Sequence, residues 1–95
     1  YSWGNEIRFS VSGADRMTIN SSGHVTPGAD NTQSLGSEGK RWANIYVGDM
    51  QLSNEGNPNE IDGTEGSWTL QEGDENMFLI NRKTGKQFKI IMEEV

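Results

Sequence analysis

The chain has no cysteine among its 95 residues. Disulfides, thiolate chemistry and the usual structural zinc sites are therefore excluded. It has one histidine, two prolines, and no apolar run approaching the roughly 20 residues that cross a bilayer as a helix. Leu, Ile, Val and Phe together make up just under a fifth of the residues, at the edge of the disordered class by composition alone. Between Ala43 and Asn81 there is no Lys or Arg, while eight acidic residues from Asp49 to Glu75 accumulate there. The formal charge of −6 works against nucleic acid and against anionic membrane surfaces. A domain this small holds no large catalytic core. With disulfides and zinc gone, its remaining common staple is oligomerisation.

What is present is glycine and alternation. Twelve glycines divide the chain into pieces of strand length, the signature of an all-β chain with frequent turns. Glu6-Ile7-Arg8-Phe9-Ser10-Val11-Ser12 alternates, so Ile7, Phe9 and Val11 share a face. Met17 and Ile19 repeat the pattern, and Val25 answers them across Asn20-Ser21-Ser22-Gly23, which predicts a hairpin over residues 16–26. Pro27-Gly28 then stops the sheet. A disordered chain has no reason to keep such periodicity. Sparse apolar residues in strand register are explained if the core is shared between subunits.

From Ser37 onward the spacing changes. Trp42, Ile45 and Tyr46 stand three and four apart, which predicts a short helical turn near residues 38–44 leading into a strand at Ile45-Tyr46-Val47. Ser37 is placed to cap it, although Lys40 stands where a capping box wants Glu or Gln. Met50-Gln51-Leu52-Ser53 reads as a brief strand, and residues 54–66, rich in Asn, Glu and Gly, as a loop. The last third predicts a three-stranded meander: Trp68–Gln71, Met77–Ile80 and Gln87–Met92, joined by connections of hairpin length. Ile19-Asn20…Gly23 and Ile80-Asn81…Gly85 share one device, a strand ending in Ile-Asn that reaches Gly before turning back.

Catalytic constellations are not assembled by this sequence. His24 is the one histidine, on the far arm of a tight hairpin, where a structural role is the expectation. Three symmetry copies could bind a metal, but His24-Val25-Thr26 lacks the second ligand of a His-x-His pair, so no metal is expected. The pairs Glu60/Asp62 and Glu72/Asp74 lie in polar loops with nothing apolar to raise one pKa for a general acid. Asn54, Asp62 and Glu65 offer oxygens without a calcium-loop pattern, and no phosphate-binding glycine loop opens a helix. The reading is non-enzymatic, with no cofactor. Arg82, Lys83, Lys86 and Lys89 hold half the basic residues, read as a hairpin that pairs with the acidic loops or, functionally, as a patch for an anionic polysaccharide.

Arg16-Met17-Thr18-Ile19-Asn20-Ser21-Ser22-Gly23-His24-Val25, followed by Leu35-Gly36-Ser37-Glu38-Gly39-Lys40-Arg41-Trp42-Ala43-Asn44-Ile45-Tyr46, resembles bacteriophage tail fibre and receptor-binding proteins. The resemblance covers residues 14–47 and continues more loosely through Trp68–Gly73 and Phe78–Lys89. It implies an all-β, elongated, intertwined homotrimer on a virion fibre, acting outside the cell in host attachment by binding a bacterial surface glycan or protein. Nucleic acid and membrane insertion are not part of that expectation. It divides the chain into a shaft-like region, 1–47, with the Trp42–Tyr46 anchor, and a meander, 48–95, serving as tip or trimerisation clamp. The chain opens at Tyr1 without an initiator methionine and reads as a C-terminal fragment; its final strand needs nothing beyond it, which allows Val95 to be the natural end. Some such fibres carry a Ser–Lys chaperone domain after the anchor; Val47-Gly48-Asp49-Met50 leads to none here. Candidates for the trimer core are Ile7, Phe9, Val11, Met17, Ile19, Trp42, Ile45, Tyr46, Phe78 and Ile80. Candidates for receptor contact are Trp68, Arg82, Lys83 and Lys86. The competing reading is a monomeric β-sandwich that binds carbohydrate or serves as an adhesin module. It requires an apolar inner face sufficient for one chain, and the narrow faces at Ile7–Val11 and Met17–Ile19 argue against it.

Overall fold

A computed structural model describes residues 2–95, and the chain divides into two compact units, Tyr1–Ala43 and Asn44–Val95. All regular structure among the described residues is β. The first unit holds β1 (Ser2–Trp3), β2 (Glu6–Val11), β3 (Ala14–Ile19) and β4 (Val25–Pro27). They pair in chain order as a four-stranded antiparallel sheet. Ile7 faces Ile19 and Phe9 faces Met17, so the alternating residues do share one side. Ser12 and Gly13, at φ 56° and 78°, make the two-residue turn between β2 and β3, the double positive φ that matches strand twist. The register shifts between Phe9 and Ser10, where Arg16 is the extra residue of a β-bulge. Gly28 closes behind that bulge, its N–H donating to the Arg16 carbonyl at 2.9 Å. A Cβ there would stand 1.7 Å from the Asp15 carbonyl oxygen.

The hairpin expected over 16–26 is β3–β4, and its turn rests on Asn20. The Asn20 carboxamide oxygen accepts from the N–H groups of Ser22 and His24, each at 3.0 Å, while Gly23 at φ 82° donates to the Asn20 carbonyl. Asn81 repeats this in the second unit. Its Oδ1 accepts from Lys83 and Thr84 N–H, and Gly85 at φ 77° donates to its carbonyl at 2.7 Å. The shared Ile-Asn…Gly device is one local solution used twice: an Asx side chain standing in for a backbone acceptor, and a glycine taking the left-handed step.

The second unit holds β5 (Met50–Ser53), β6 (Ser67–Glu72), β7 (Met77–Asn81) and β8 (Gln87–Lys89), again in chain order and antiparallel. The expected meander is present, with β5 added at its edge through Leu52 opposite Trp68 and Met50 opposite Leu70. The final strand is shorter than Gln87–Met92. Ile90 N–H still reaches the Met77 carbonyl at 2.9 Å, but β7 begins at Met77, so nothing remains beyond it to pair with Ile91 and Met92.

Two expectations fail between the sheets. Residues 38–44 form no helical turn. Ser37 and Lys40 instead exchange backbone hydrogen bonds at 3.0 and 3.2 Å across Glu38-Gly39, and the Ser37 hydroxyl accepts from Lys40 N–H at 3.2 Å. The capping side chain is used, but it closes a tight turn. Gly36 at φ 89° on one side and Gly39 within it favour that reversal over a helix start. Ile45-Tyr46-Val47 likewise joins no strand, because no neighbouring segment offers it a ladder.

Candidate functional site

The second sheet presents one apolar face and one mixed face. Register places Met50, Leu52, Trp68, Leu70, Leu79 and Phe88 on one side. Trp68 is half-buried there, its ring centroid 5.7 Å from that of Phe88 and the planes tilted by 44°. Its indole also lies over Gly66, where a Cβ would meet Nε1 at 3.0 Å. Leu52 and Phe88 remain about half exposed, at 49% and 46%. This face is open.

The other face joins polar side chains of β5 and β6 beside the apolar Phe78 and Ile80 of β7. Thr69 is fully buried. Its hydroxyl donates to Gln51 Oε1 at 2.7 Å and accepts from Arg82 Nε at 2.9 Å. Gln71 Nε2 donates to Asp49 Oδ2 at 3.1 Å along the same side. A buried hydroxyl that both gives and receives a bond carries little desolvation cost.

These geometries separate the receptor candidates. Trp68 lies on the apolar face, whereas the Arg82 guanidinium is engaged at Thr69 on the opposite one. Lys83 Nζ donates to the Glu65 backbone carbonyl at 2.8 Å, and Lys86 is exposed at the turn into β8. The basic hairpin thus meets the acidic loop through a carbonyl. The ion pairs seen among the described residues belong to the first sheet, where Arg8 bridges Glu6 and Asp15.

The core candidates divide too. Ile7, Phe9, Met17 and Ile19 share the apolar face of the first sheet, with Val11 beyond the bulge. Trp42, Ile45 and Tyr46 lie outside both sheets, and Tyr46 is 94% exposed. Phe78 and Ile80 stand on the Thr69 face, away from Trp68 and Leu79. The strand Met77-Phe78-Leu79-Ile80 is apolar on both sides, so its own alternation does not say which pair joins the larger apolar surface. The pairing with Trp68 and Leu70 decides it. Met50, Leu52, Leu79 and Phe88 were missed by sequence reasoning, and the available signal was the period-2 spacing of Leu52, Trp68-Leu70 and Phe88 taken together.

The loop between β5 and β6 is built from asparagine. Asn54 Oδ1 accepts from Gly66 N–H at 2.6 Å, and its amide donates to the Asn57 and Thr64 carbonyls. Asn59 Oδ1 accepts from Ile61 and Asp62 N–H. Asp62 Oδ1 receives the Thr64 hydroxyl at 2.7 Å, the Asn59 amide at 2.8 Å and Thr64 N–H at 3.1 Å. These donors, the Thr64 hydroxyl first, hold the Asp62 carboxyl below its ordinary range. Glu65 Oε1 accepts from Gly56 N–H at 2.6 Å. The oxygens weighed for calcium are therefore turned inward to the loop's own donors. No group of three or more His, Cys, Asp or Glu side chains disposed to hold a metal occurs among the described residues. His24 is exposed, beside its hairpin turn.

No protein-family model, curated protein or solved structure matches this chain.

Proposed function

We propose that this chain is a structural and host-recognising part of a bacteriophage tail fibre, non-enzymatic and homotrimeric, which binds a bacterial surface glycan or protein. One observation carries the reading: among the described residues no apolar side chain is buried within a single chain. Strand after strand keeps its apolar residues in register, yet Ile7, Phe9, Val11, Leu52 and Phe88 all remain substantially open. Burying such surface against other copies contributes about 25 cal/mol per Å². A small chain without cysteine has few other ways to gain that stability. The polar connections and exposed basic turn would then remain outside for recognition.

Light scattering coupled to gel filtration tests the assembly, with a mass of three 10.5 kDa chains expected. Fluorescently labelled protein should then decorate susceptible bacteria. Loss of labelling after periodate treatment of the cells would identify a glycan, and loss after protease a protein. A folded monomer in the first experiment overturns the fibre reading in favour of a single-chain binding module.

A further inference from the structure

The two edges of the second sheet complement each other in hydrogen bonding, facing and charge. Asn54 N–H bonds to the Gly66 carbonyl, and the antiparallel alternation then turns Leu52 toward β6 and leaves the backbone groups of Gln51 and Ser53 pointing away from the sheet. At the far edge Asn81 N–H bonds to Lys86 O and Ile90 N–H to Met77 O. Phe88 is thereby turned toward β7, and the backbone groups of Gln87 and Lys89 point outward. Each edge thus offers two outward residues, two apart. In one antiparallel register Gln51 meets Lys89 and Ser53 meets Gln87. That register sets Leu52 opposite Phe88, on the same apolar face, so the face continues across the junction. It also brings Lys89 toward Asp49 and Lys86 toward Glu55, opposite charges at both ends.

We propose that β5 of one copy pairs with β8 of the next, with the Trp68 face turned inward. This rests on the self-association argued above and adds which surfaces meet. Two different edges joining make a heterologous contact, which closes only as a ring. β5 and β8 run in opposite directions, so alternation is kept around it.

Strand spacing favours three copies. Four strands plus one junction span about 19 Å, and a triangle of that side has its centre about 5.5 Å from each sheet. Packed sheets lie about 10 Å apart, so about 5 Å from sheet to midplane is the distance that apolar side chains fill. Two flat sheets would leave their edges about 10 Å apart, beyond hydrogen bonding, and four would leave a hollow centre. The inward Trp68, Leu70, Leu79 and Phe88 of three copies would make one core.

The absence of native cysteine makes the test clean. In one chain the two edges lie three strand spacings apart, about 14 Å, too far for a disulfide within the chain. Ser53→Cys/Gln87→Cys places both thiols on the outer face, at a hydrogen-bonded pair whose Cα separation of about 5.5 Å a disulfide spans. Mild oxidation of the full chain should yield a covalent trimer on non-reducing gels, while each single variant stays uncrosslinked. Light scattering of the reduced double variant, matching wild type, shows that the fold is kept. A trimer by scattering that does not crosslink overturns the edge junction and leaves the trimer standing. A wild-type monomer overturns both. Covalent species that end at two chains, or run on past three, overturn the threefold closure. Independently, Lys89→Glu should weaken association at least tenfold at low salt, and Asp49→Lys in the same chain should restore it; failure of that rescue overturns the assigned register.

Discussion

The two sheets share a plan and differ in how they finish it. Each has four antiparallel strands in chain order and gathers most of its apolar residues on one side, although Phe78 and Ile80 of the second sheet stand on the other. The first sheet covers its polar side with charge: Arg8 Nε donates to Glu6 Oε1 at 2.6 Å, its guanidinium reaches Asp15 Oδ2 at 3.3 Å, and the Ser10 hydroxyl donates to Asp15 Oδ1 at 2.5 Å. All three charged side chains stay about a third exposed. The second sheet instead buries a neutral hydroxyl between Gln51 and Arg82. Ion pairs at that exposure contribute little and weaken with salt, whereas a satisfied buried hydroxyl is insensitive to it. The same architecture therefore responds to solvent in two ways, and the difference lies in the face that carries no apolar residues in the first sheet.

Trp68→Ala should sharpen this contrast most. If its face is covered by other copies, losing the indole costs about 3–5 kcal/mol per chain. The second sheet's amides should lose hydrogen-exchange protection while β2 and β3 keep theirs. Gly28→Ala should do the reverse, because its methyl group cannot occupy the space of the Asp15 carbonyl without moving β4. A cost of about 1–3 kcal/mol is expected, with exchange rising at the β3–β4 amides alone. Thr69→Val should cost about 1 kcal/mol in denaturant unfolding, unchanged between low and high salt. Arg8→Ala should cost about 0.2–1 kcal/mol at low salt and close to nothing at high salt. Equal salt responses for these two variants would remove the distinction between the sheets.

The smallest effect concerns the connection before β6. A depressed carboxyl contributes stability above its unfolded pKa and loses it as pH falls through the folded value. Asp62 lies below its ordinary range, so loop 59–64 should stay ordered across neutral and mildly acidic pH and loosen only below the usual carboxylate range. Amide signals of Asp62 and Thr64 followed by NMR titration would show it. Loosening that begins at higher pH would mean the Thr64 and Asn59 bonds do not hold the carboxylate.

Local rules carried much of the fold. The Asn20 and Asn81 turns were legible because a single side chain and a single glycine build each of them. The anchor segment was misread for the complementary reason. Trp42, Ile45 and Tyr46 have helical spacing, but three residues do not repay the cost of a helix nucleus when Gly36 and Gly39 offer a tighter turn. Faces were harder than strands. Nothing in Met77–Ile80 alone distinguishes Leu79 from Phe78, and that choice depends on Leu70, nine residues before Leu79 in the chain, through the register. The edge status of β5 was similarly hidden, since a loop of thirteen residues, 54–66, does not announce which strand its ends will join.

That loop has one further consequence. Its frame is tied by Asn54, Asn59, Asp62 and Thr64, while Ile61 at its apex is 95% exposed and lends only its backbone N–H to the frame. The residue type at 61 is thus uncoupled from folding. A library of every residue except proline, which would remove that N–H, should express uniformly while varying whatever the loop touches, giving the molecule a position where mutation can explore new contacts at almost no structural risk.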